Sequence, residues 1–345
     1  MYGVGIIGSG PGVGALHLPT LAALDDRFRV VHIADSGSGR AHALSEQSDA
    51  RWSTGVDALI ADPAVDVVAI CSPPERHAEH LLAAIEGGVR AVLCEKPLAT
   101  THDDADRVVG AARASGTVIV TGTNHLYDPA WARFKRHLDE SQTAVRAITI
   151  TLAVAPNARY HAAVSETESA PAPQRPRPDL SMPAVAAGIV RSLVLGLGVH
   201  DLPLVRDLAP DLEGVDFVRA LAPIGFDLGY RSSGVAIRHT AVMLPAGADT
   251  HWRIAVTCDH DRIELDFPPP FVSAGGALIR VIDPEGRVTE HPIDADNGYL
   301  REWVEVAQLL DGERPVEYGE LQADAHFAID VADAAASAVS SESAA

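Results

Sequence analysis

Glu95-Lys96-Pro97 closes the apolar run Val89-Arg90-Ala91-Val92-Leu93-Cys94, so an acid, an amine and a fixed turn stand together where a strand should end. In an open parallel sheet the carboxyl ends of the strands face the ligand crevice, which is where such a lysine could exchange a proton with a bound molecule. A cis bond before Pro97 would turn the chain sharply and aim Lys96 inward. The same residues would also make a plain strand-end ion pair beside a turn proline.

A second group lies at the N-terminus, where the apolar strand Met1 to Ile7 runs into Gly8-Ser9-Gly10-Pro11-Gly12-Val13-Gly14 and then into the helical Ala15 to Leu21. Glycines there permit positive φ and let backbone N-H groups approach a pyrophosphate, and the helix N-terminus adds a favourable dipole. Gly8, Gly10, Pro11, Gly12, Val13 and Gly14 are therefore candidate cofactor contacts. The spacing is irregular: G-x-G-x-x-G asks for glycine at Val13, and Gly14 comes one place late. A one-residue insertion in the loop is expected, with Gly14 taking the close helix-strand contact.

The next strand, Phe28 to Asp35, ends in a carboxylate roughly 20 residues after the glycines. Such an acid accepts from the adenosine ribose hydroxyls and repels a 2′-phosphate, which favours NAD; Ser36 and Arg40 on the adjoining turn leave NADP as the alternative. A buried strand, Val65 to Cys71, leads into Ser72-Pro73-Pro74-Glu75-Arg76-His77 and a helix to about Glu86. Cys71, Ser72 and Pro73 are expected over the cofactor, with His77 orienting that loop or capping its helix. Gly87-Gly88 stops the helix, a further helix spans Asp103 to Ala114, and the strand Thr117 to Asn124 ends in an amide able to reach nicotinamide or substrate. Alternating strands and helices of this kind make a doubly wound parallel sheet.

With 345 residues and an apolar fraction of 47%, the chain can hold two cores. Its formal charge of -20 would repel nucleic acid and anionic membrane surfaces, so a small molecule is the expected partner. Cys71, Cys94 and Cys258 are too few and too far apart for a disulfide framework or a zinc site, and no metal is expected. The strand begins at once, without a basic leader or an apolar span of membrane length, and a cytoplasmic protein is expected.

Taken together, Gly8 to Gly14 with His17-Leu18-Pro19, Ser72 to His77, Glu95-Lys96-Pro97, and Asn124-His125-Leu126-Tyr127-Asp128-Pro129 resemble the Gfo/Idh/MocA family, whose namesakes are glucose-fructose oxidoreductase and inositol dehydrogenase. The resemblance implies a Rossmann dinucleotide-binding domain over 1–124. It also implies that Lys96 is the catalytic lysine, that Glu95 contacts the cofactor, and that Pro97 follows a cis peptide.

The remainder, 125–345, reads as a substrate-binding and oligomerisation domain of α+β type. It opens on the alternating strand Ala144 to Val154, and a proline-rich arm follows over 154–183, where Arg159, Tyr160 and His161 are the candidate ligand contacts. Ala184 to Asp207 has the composition of one long helix. The family places D-x-G-x-H here, its histidine facing substrate; Gly198 and His200 match, but Gly196 stands where the aspartate would be. Positions 196 and 200 would share a helix face, whereas Asp201 is turned about 100° away. The runs Phe217 to Ala222, Gly234 to Leu244, His251 to Cys258, Arg262 to Phe267 and Ala277 to Ile282 suggest a predominantly antiparallel open sheet, and Tyr299 to Leu310 and Leu321 to Val339 suggest closing helices. The resemblance implies a homodimer or homotetramer through that sheet.

The expectation is an NAD(P)-dependent oxidoreductase that moves hydride between nicotinamide and a secondary alcohol or ketone of a sugar, aminosugar, nucleotide sugar or cyclitol. Lys96 and His200 would carry the proton chemistry, with Lys96, Asn124, Tyr127, Arg159, Tyr160 and His200 around the substrate. The alternatives are a regulatory protein that binds the dinucleotide without turnover, and redox-assisted elimination.

Overall fold

The computed structural model describes residues 1–155, 179–244, 249–270 and 275–342. They form two compact units, one of 1–123 with 299–326 and one of the described parts of 124–298 with the chain from 327. The single boundary expected at 124 is therefore corrected: the chain returns to the first unit near its end. Contacts explain the return. Trp303 meets Phe28 edge-on at 5.2 Å, the Tyr2 hydroxyl donates to Asp311 at 2.6 Å, and the Tyr318 hydroxyl donates to the Thr117 carbonyl at 2.9 Å.

In the first unit β1 (Tyr2–Ile7), β2 (Phe28–Asp35), β3 (Arg51–Thr54), β4 (Val67–Ile70), β5 (Ala91–Glu95) and β6 (Val118–Gly122) form a parallel sheet in the order β3-β2-β1-β4-β5-β6. Helices cover both faces, so β4 is buried along its length and reads as an unbroken apolar run. The strand order reverses between β1 and β4, and a ligand crevice in such sheets opens at the carboxyl ends there. Helix His102–Ser115 shows how local chemistry sets the elements: the Thr101 side chain accepts from Asp104 N, and Gly116 ends the helix at φ 77. The short polar strand β3 was not expected. His32 holds it, with Nδ1 on Asp62 Oδ2 at 2.8 Å and Nε2 on Ser53 Oγ at 3.0 Å.

The second unit contains β7 (Val145–Val154), β8 (Leu212–Leu221), β9 (Ile224–Ser232), β10 (Val235–Met243), β11 (His251–Cys258), β12 (Arg262–Phe267), β13 (Leu278–Ile282) and β14 (Val288–Glu290), in the order β14-β13-β12-β11-β7-β10-β9-β8. Every pairing is antiparallel except β7 with β10. Ile148, Ile150 and Leu152 point from β7 into a core shared with Val190, Val194, Leu202 and Val205. Strand β9 escaped the sequence reading because Gly225 and Gly229 dilute its pattern. Packing requires both: a Cβ on Gly225 would lie 2.4 Å from Ala241 O, and one on Gly229 would lie 2.2 Å from the Phe217 ring.

The long helix expected over Ala184 to Asp207 is also corrected. It is broken into Pro183–Gly196, a 3-10 turn Gly198–His200 and Leu202–Leu208, with Pro203 in the first turn of the last piece. Gly196 and Gly198 weaken the helix at that point, and Pro203 cannot donate back across it. Positions 196 and 200 thus share no helix face. The stretch Pro183–His200 has a mean hydropathy of 1.5, yet Val190 and Val194 are fully buried in the core of this unit.

Candidate active site

Gly8 has φ +107, and a Cβ there would stand 2.5 Å from the Cys71 carbonyl oxygen, so β1 and β4 approach each other at this point only through a glycine. Around Gly10 the space within 4 Å of a Cβ position is open. Pro11 and Gly12 are already helical, and the extra residue of the fingerprint is taken up by a π turn over Val13–His17, where one inserted residue widens a helix without ending it. This corrects the expected enlarged loop. A Cβ on Gly14 would face no strand either; it would meet Leu44 Cδ2 at 3.3 Å, on helix Arg40–Ser48, and Val13 is a core residue. Gly8→Ala is expected to abolish dinucleotide binding and to lower the melting temperature, because neither flanking strand can retreat; a titration of the variant with NADH fluorescence checks this. Wild-type affinity in the variant would exclude the close approach.

Asp35 is tied into the same loop. It accepts from Ser9 Oγ at 2.8 Å, Ala41 N at 3.1 Å and Gly37 N at 2.8 Å, and also from Ser38 Oγ. Partial burial works against its charge, but these four donors prevail and hold the carboxyl at about 2. Asp35 is therefore an anion throughout the neutral range. Ser36 and Arg40 lie exposed beside it, Arg40 opening its helix.

At the end of β4, Cys71 N bonds back to Ile7 O at 2.7 Å, and Ser72 Oγ lies 2.8 Å from His80 Nδ1. Pro73 is exposed and precedes the 3-10 turn Pro74–Arg76. His77 is only 1% exposed, with Nδ1 on Pro97 O at 2.7 Å and Nε2 on Ser72 O at 2.8 Å. Its side chain caps no helix end; it clamps the Ser72 loop to the turn after Lys96.

The Lys96-Pro97 bond is cis. Glu95 reaches back to His17, Oε1 to Nε2 at 2.9 Å. Burial pulls the His17 imidazole down, but Cys71 and the Glu95 carboxylate outweigh it and hold it well above the usual histidine value. Burial likewise raises the Glu95 carboxyl, and the His17 bond and charge, with Lys96 behind them, bring it below its ordinary range. The two form an ion pair. Burial lowers the Lys96 amine, offset in part by Glu95. Sequence reasoning missed two further residues here, Tyr299 and Glu302. Glu302 is 1% exposed, and burial together with the Glu95 charge pushes its carboxyl well above the usual value, so it is a neutral acid beside a charged one. No local pattern announces that role, since Glu302 reads as an ordinary helical glutamate.

In the second unit the buried Asn124 begins a short helix, Asn124–Tyr127, and its Oδ1 lies 2.7 Å from His200 Nδ1. An amide oxygen only accepts, so Nδ1 carries the proton and the lone pair of the neutral imidazole is on Nε2. Gly298 makes room for this, as a Cβ there would fall 1.9 Å from Asn124 O. Tyr127 is half-buried on the same helix. Asp201, beside His200, bonds instead to His125 Nδ1 at 2.8 Å and to Trp252 Nε1 at 3.0 Å. Arg159, Tyr160 and His161 lie outside the described residues.

The glycine cradle at Gly8 and Gly10 and the anchored Asp35 carboxylate fit the pyrophosphate and the adenosine ribose of a nicotinamide dinucleotide. Residues 2–123 match the model of an oxidoreductase family with an NAD-binding Rossmann fold. Inositol 2-dehydrogenase 2 of Saccharopolyspora erythraea is 31% identical over 294 residues, covering 84% of this chain and 73% of that protein. In fold the chain is similar to a 3-ketoreductase from Actinomadura kijaniata, solved with NADP and TDP-benzene, at a TM-score of 0.74 and 21% identity over 95% of this chain and 96% of that one. It is similar also to the UDP-N-acetylglucosamine 3-dehydrogenase of Acidithiobacillus ferrooxidans, at a TM-score of 0.72 and 19% identity over 98% of each chain.

Proposed function

As the chain belongs to the Gfo/Idh/MocA oxidoreductase family, we propose that it transfers hydride between a nicotinamide dinucleotide and a secondary alcohol carbon of a cyclitol or sugar, with His200 as the base and Lys96 as its partner in the proton chemistry. The observation that carries the assignment of the base is the His200–Asn124 bond of 2.7 Å. By occupying Nδ1 it leaves Nε2 as the nitrogen that takes the hydroxyl proton during oxidation and returns it during reduction. Asn124 thereby sets the tautomer. When bound, the nicotinamide supplies the hydride acceptor or donor. Lys96, in its protonated form, donates a hydrogen bond to the oxygen as negative charge develops on it; the single proton released goes to His200, and burial limits the pH range over which the amine stays charged. Glu95, held ionised by His17, keeps that amine from neutralising too early.

Within this reading Gly8 to Gly14 hold the pyrophosphate, Asp35 the ribose, and Ser72, Pro73 and His77 shape the loop over the ring. NAD is the preferred cofactor, because the Asp35 carboxylate, ionised down to about pH 2, opposes a 2′-phosphate. Asp35→Ala is expected to narrow or reverse the preference in a comparison of Kd for the two reduced cofactors. A wild type that prefers NADP by tenfold, about 1.4 kcal/mol, would end this role for Asp35. The homo-oligomer through the outer face of the second sheet and a cytoplasmic location, which the free thiols of Cys71, Cys94 and Cys258 suit, belong to the same proposal. Oxidation of inositols, other polyols, sugar phosphates and nucleotide sugars, followed with each cofactor by the absorbance of the reduced nicotinamide, tests the whole assignment. Absence of turnover across that panel, with the dinucleotide bound, would overturn it.

A further inference from the structure

The family resemblance implies a carboxylate four residues before His200, where this chain has Gly196. The segments 124–125 and 200–201 show where a charge returns. They bond in register, neighbour to neighbour: Asn124 to His200 at 2.7 Å, and His125 to Asp201 at 2.8 Å. Asp201 is fully buried and receives Trp252 Nε1 as well, at 3.1 Å on Oδ1 and 3.0 Å on Oδ2. Trp252 stands edge-on to both histidines, 5.1 Å from His200 and 4.5 Å from His125, while Phe267 stacks on His125 at 3.6 Å. The His125 and His200 rings are 5.6 Å apart. Two of the rings beside His200, His125 and Trp252, thus both bond to one carboxylate, Asp201.

Building on the reading of His200 as the base, we propose that Asp201, acting with His125, is a positioning residue that orients His200 and favours its protonated form, in place of the carboxylate missing at Gly196. The other titratable groups facing Asp201 in this unit do not compete. His239 on β10 has Nε2 3.6 Å from Oδ2, and burial, only partly opposed by Asp201, keeps its imidazole below the usual value. Tyr230 on β9 is held above the usual tyrosine value by burial and by Asp201, so its hydroxyl stays un-ionised. Asp201 therefore lies buried between the ring N-H groups of His125 and Trp252, with no ionised tyrosine or readily protonated His239 beside it, and a carboxylate on the residue next to His200 favours the imidazolium.

Asp201→Asn removes the charge while keeping the shape. Its amide can accept from Trp252 and donate to His125 after a tautomer change, so folding is expected to survive. The probe is the titration of the His200 Cε1-H resonance in the full-length protein, assigned by its loss in His200→Asn. In Asp201→Asn the midpoint is expected to fall by about one pH unit, a tenfold weaker hold on the proton. The acid limb of the turnover profile should move down with it, while NADH affinity stays within about twofold. Should that variant fail to fold, Trp252→Phe carries the test. It takes one neutral donor off Asp201, strengthens the carboxylate's field and should raise the midpoint. A midpoint unmoved in the variant that folds, whatever the change in melting temperature, overturns the proposal. The titration needs no substrate, so a midpoint that moves in a protein with no turnover would uphold Asp201 and sink the proposed activity, whereas normal turnover with unmoved midpoint and limb would do the reverse.

Discussion

Replacing His200 with alanine is expected to lower turnover per folded molecule by roughly 10²-fold or more, the usual contribution of a positioned general base, while NADH affinity changes little. His200 lies on a 3-10 turn and not inside a helix, so its loss breaks no long hydrogen-bonded ladder. Its Nδ1 bond goes to Asn124, which is the side chain that fixes which nitrogen can take a proton. A packing role predicts the opposite pattern, a lower melting temperature with the turnover of the folded fraction retained. Measuring turnover beside a melting curve separates the two, and unchanged turnover in the folded variant would remove His200 as the base. Asn124→Ala should reproduce part of the loss, since it frees the tautomer without removing the ring.

Lys96→Ala should lower turnover on a similar scale, about 10²-fold or more, because the oxygen of the reacting carbinol loses its charged donor. The pH profile adds a test of sign. Burial already lowers the Lys96 amine, and Glu95 is what opposes that effect. Glu95→Gln removes the opposing charge, so the amine should lose its proton at lower pH and the alkaline limb of oxidation should shift downward. An alkaline limb that stays in place in Glu95→Gln, or survives in Lys96→Ala, would assign it to another group. His17 complicates the readout only through stability. Its value is raised in the fold, so the stability it adds is complete below the ordinary histidine range and is lost as pH rises through its folded value, which a melting curve at each pH records.

What the sequence by itself determined is the set of features that depend on neighbours in the chain. A buried parallel strand must be apolar throughout, a helix covering it must be amphipathic, and the turn between them must use glycine or proline; hence β1, β2, β5 and their loops were legible, as was the glycine cradle at Gly8. Lys96-Pro97 and Asp35 were legible for the same reason, since each sits at the end of a strand whose direction the pattern gives. Tertiary structure alone decided the rest. Strand β9 was hidden because Gly225 and Gly229 answer to Ala241 and Phe217 on neighbouring strands and not to their own local preference. The extra residue near Val13 could have made a larger loop or a wider helical turn, and packing of Val13 and Ala15 in the core selected the turn. The partner of Glu95 is His17, 78 residues away, and the partner of His200 is Asn124, 76 residues away. Those pairings set which groups are charged, because charge in a buried site depends on desolvation and on the nearest opposite charge or donor, and neither quantity exists until distant parts of the chain are brought together.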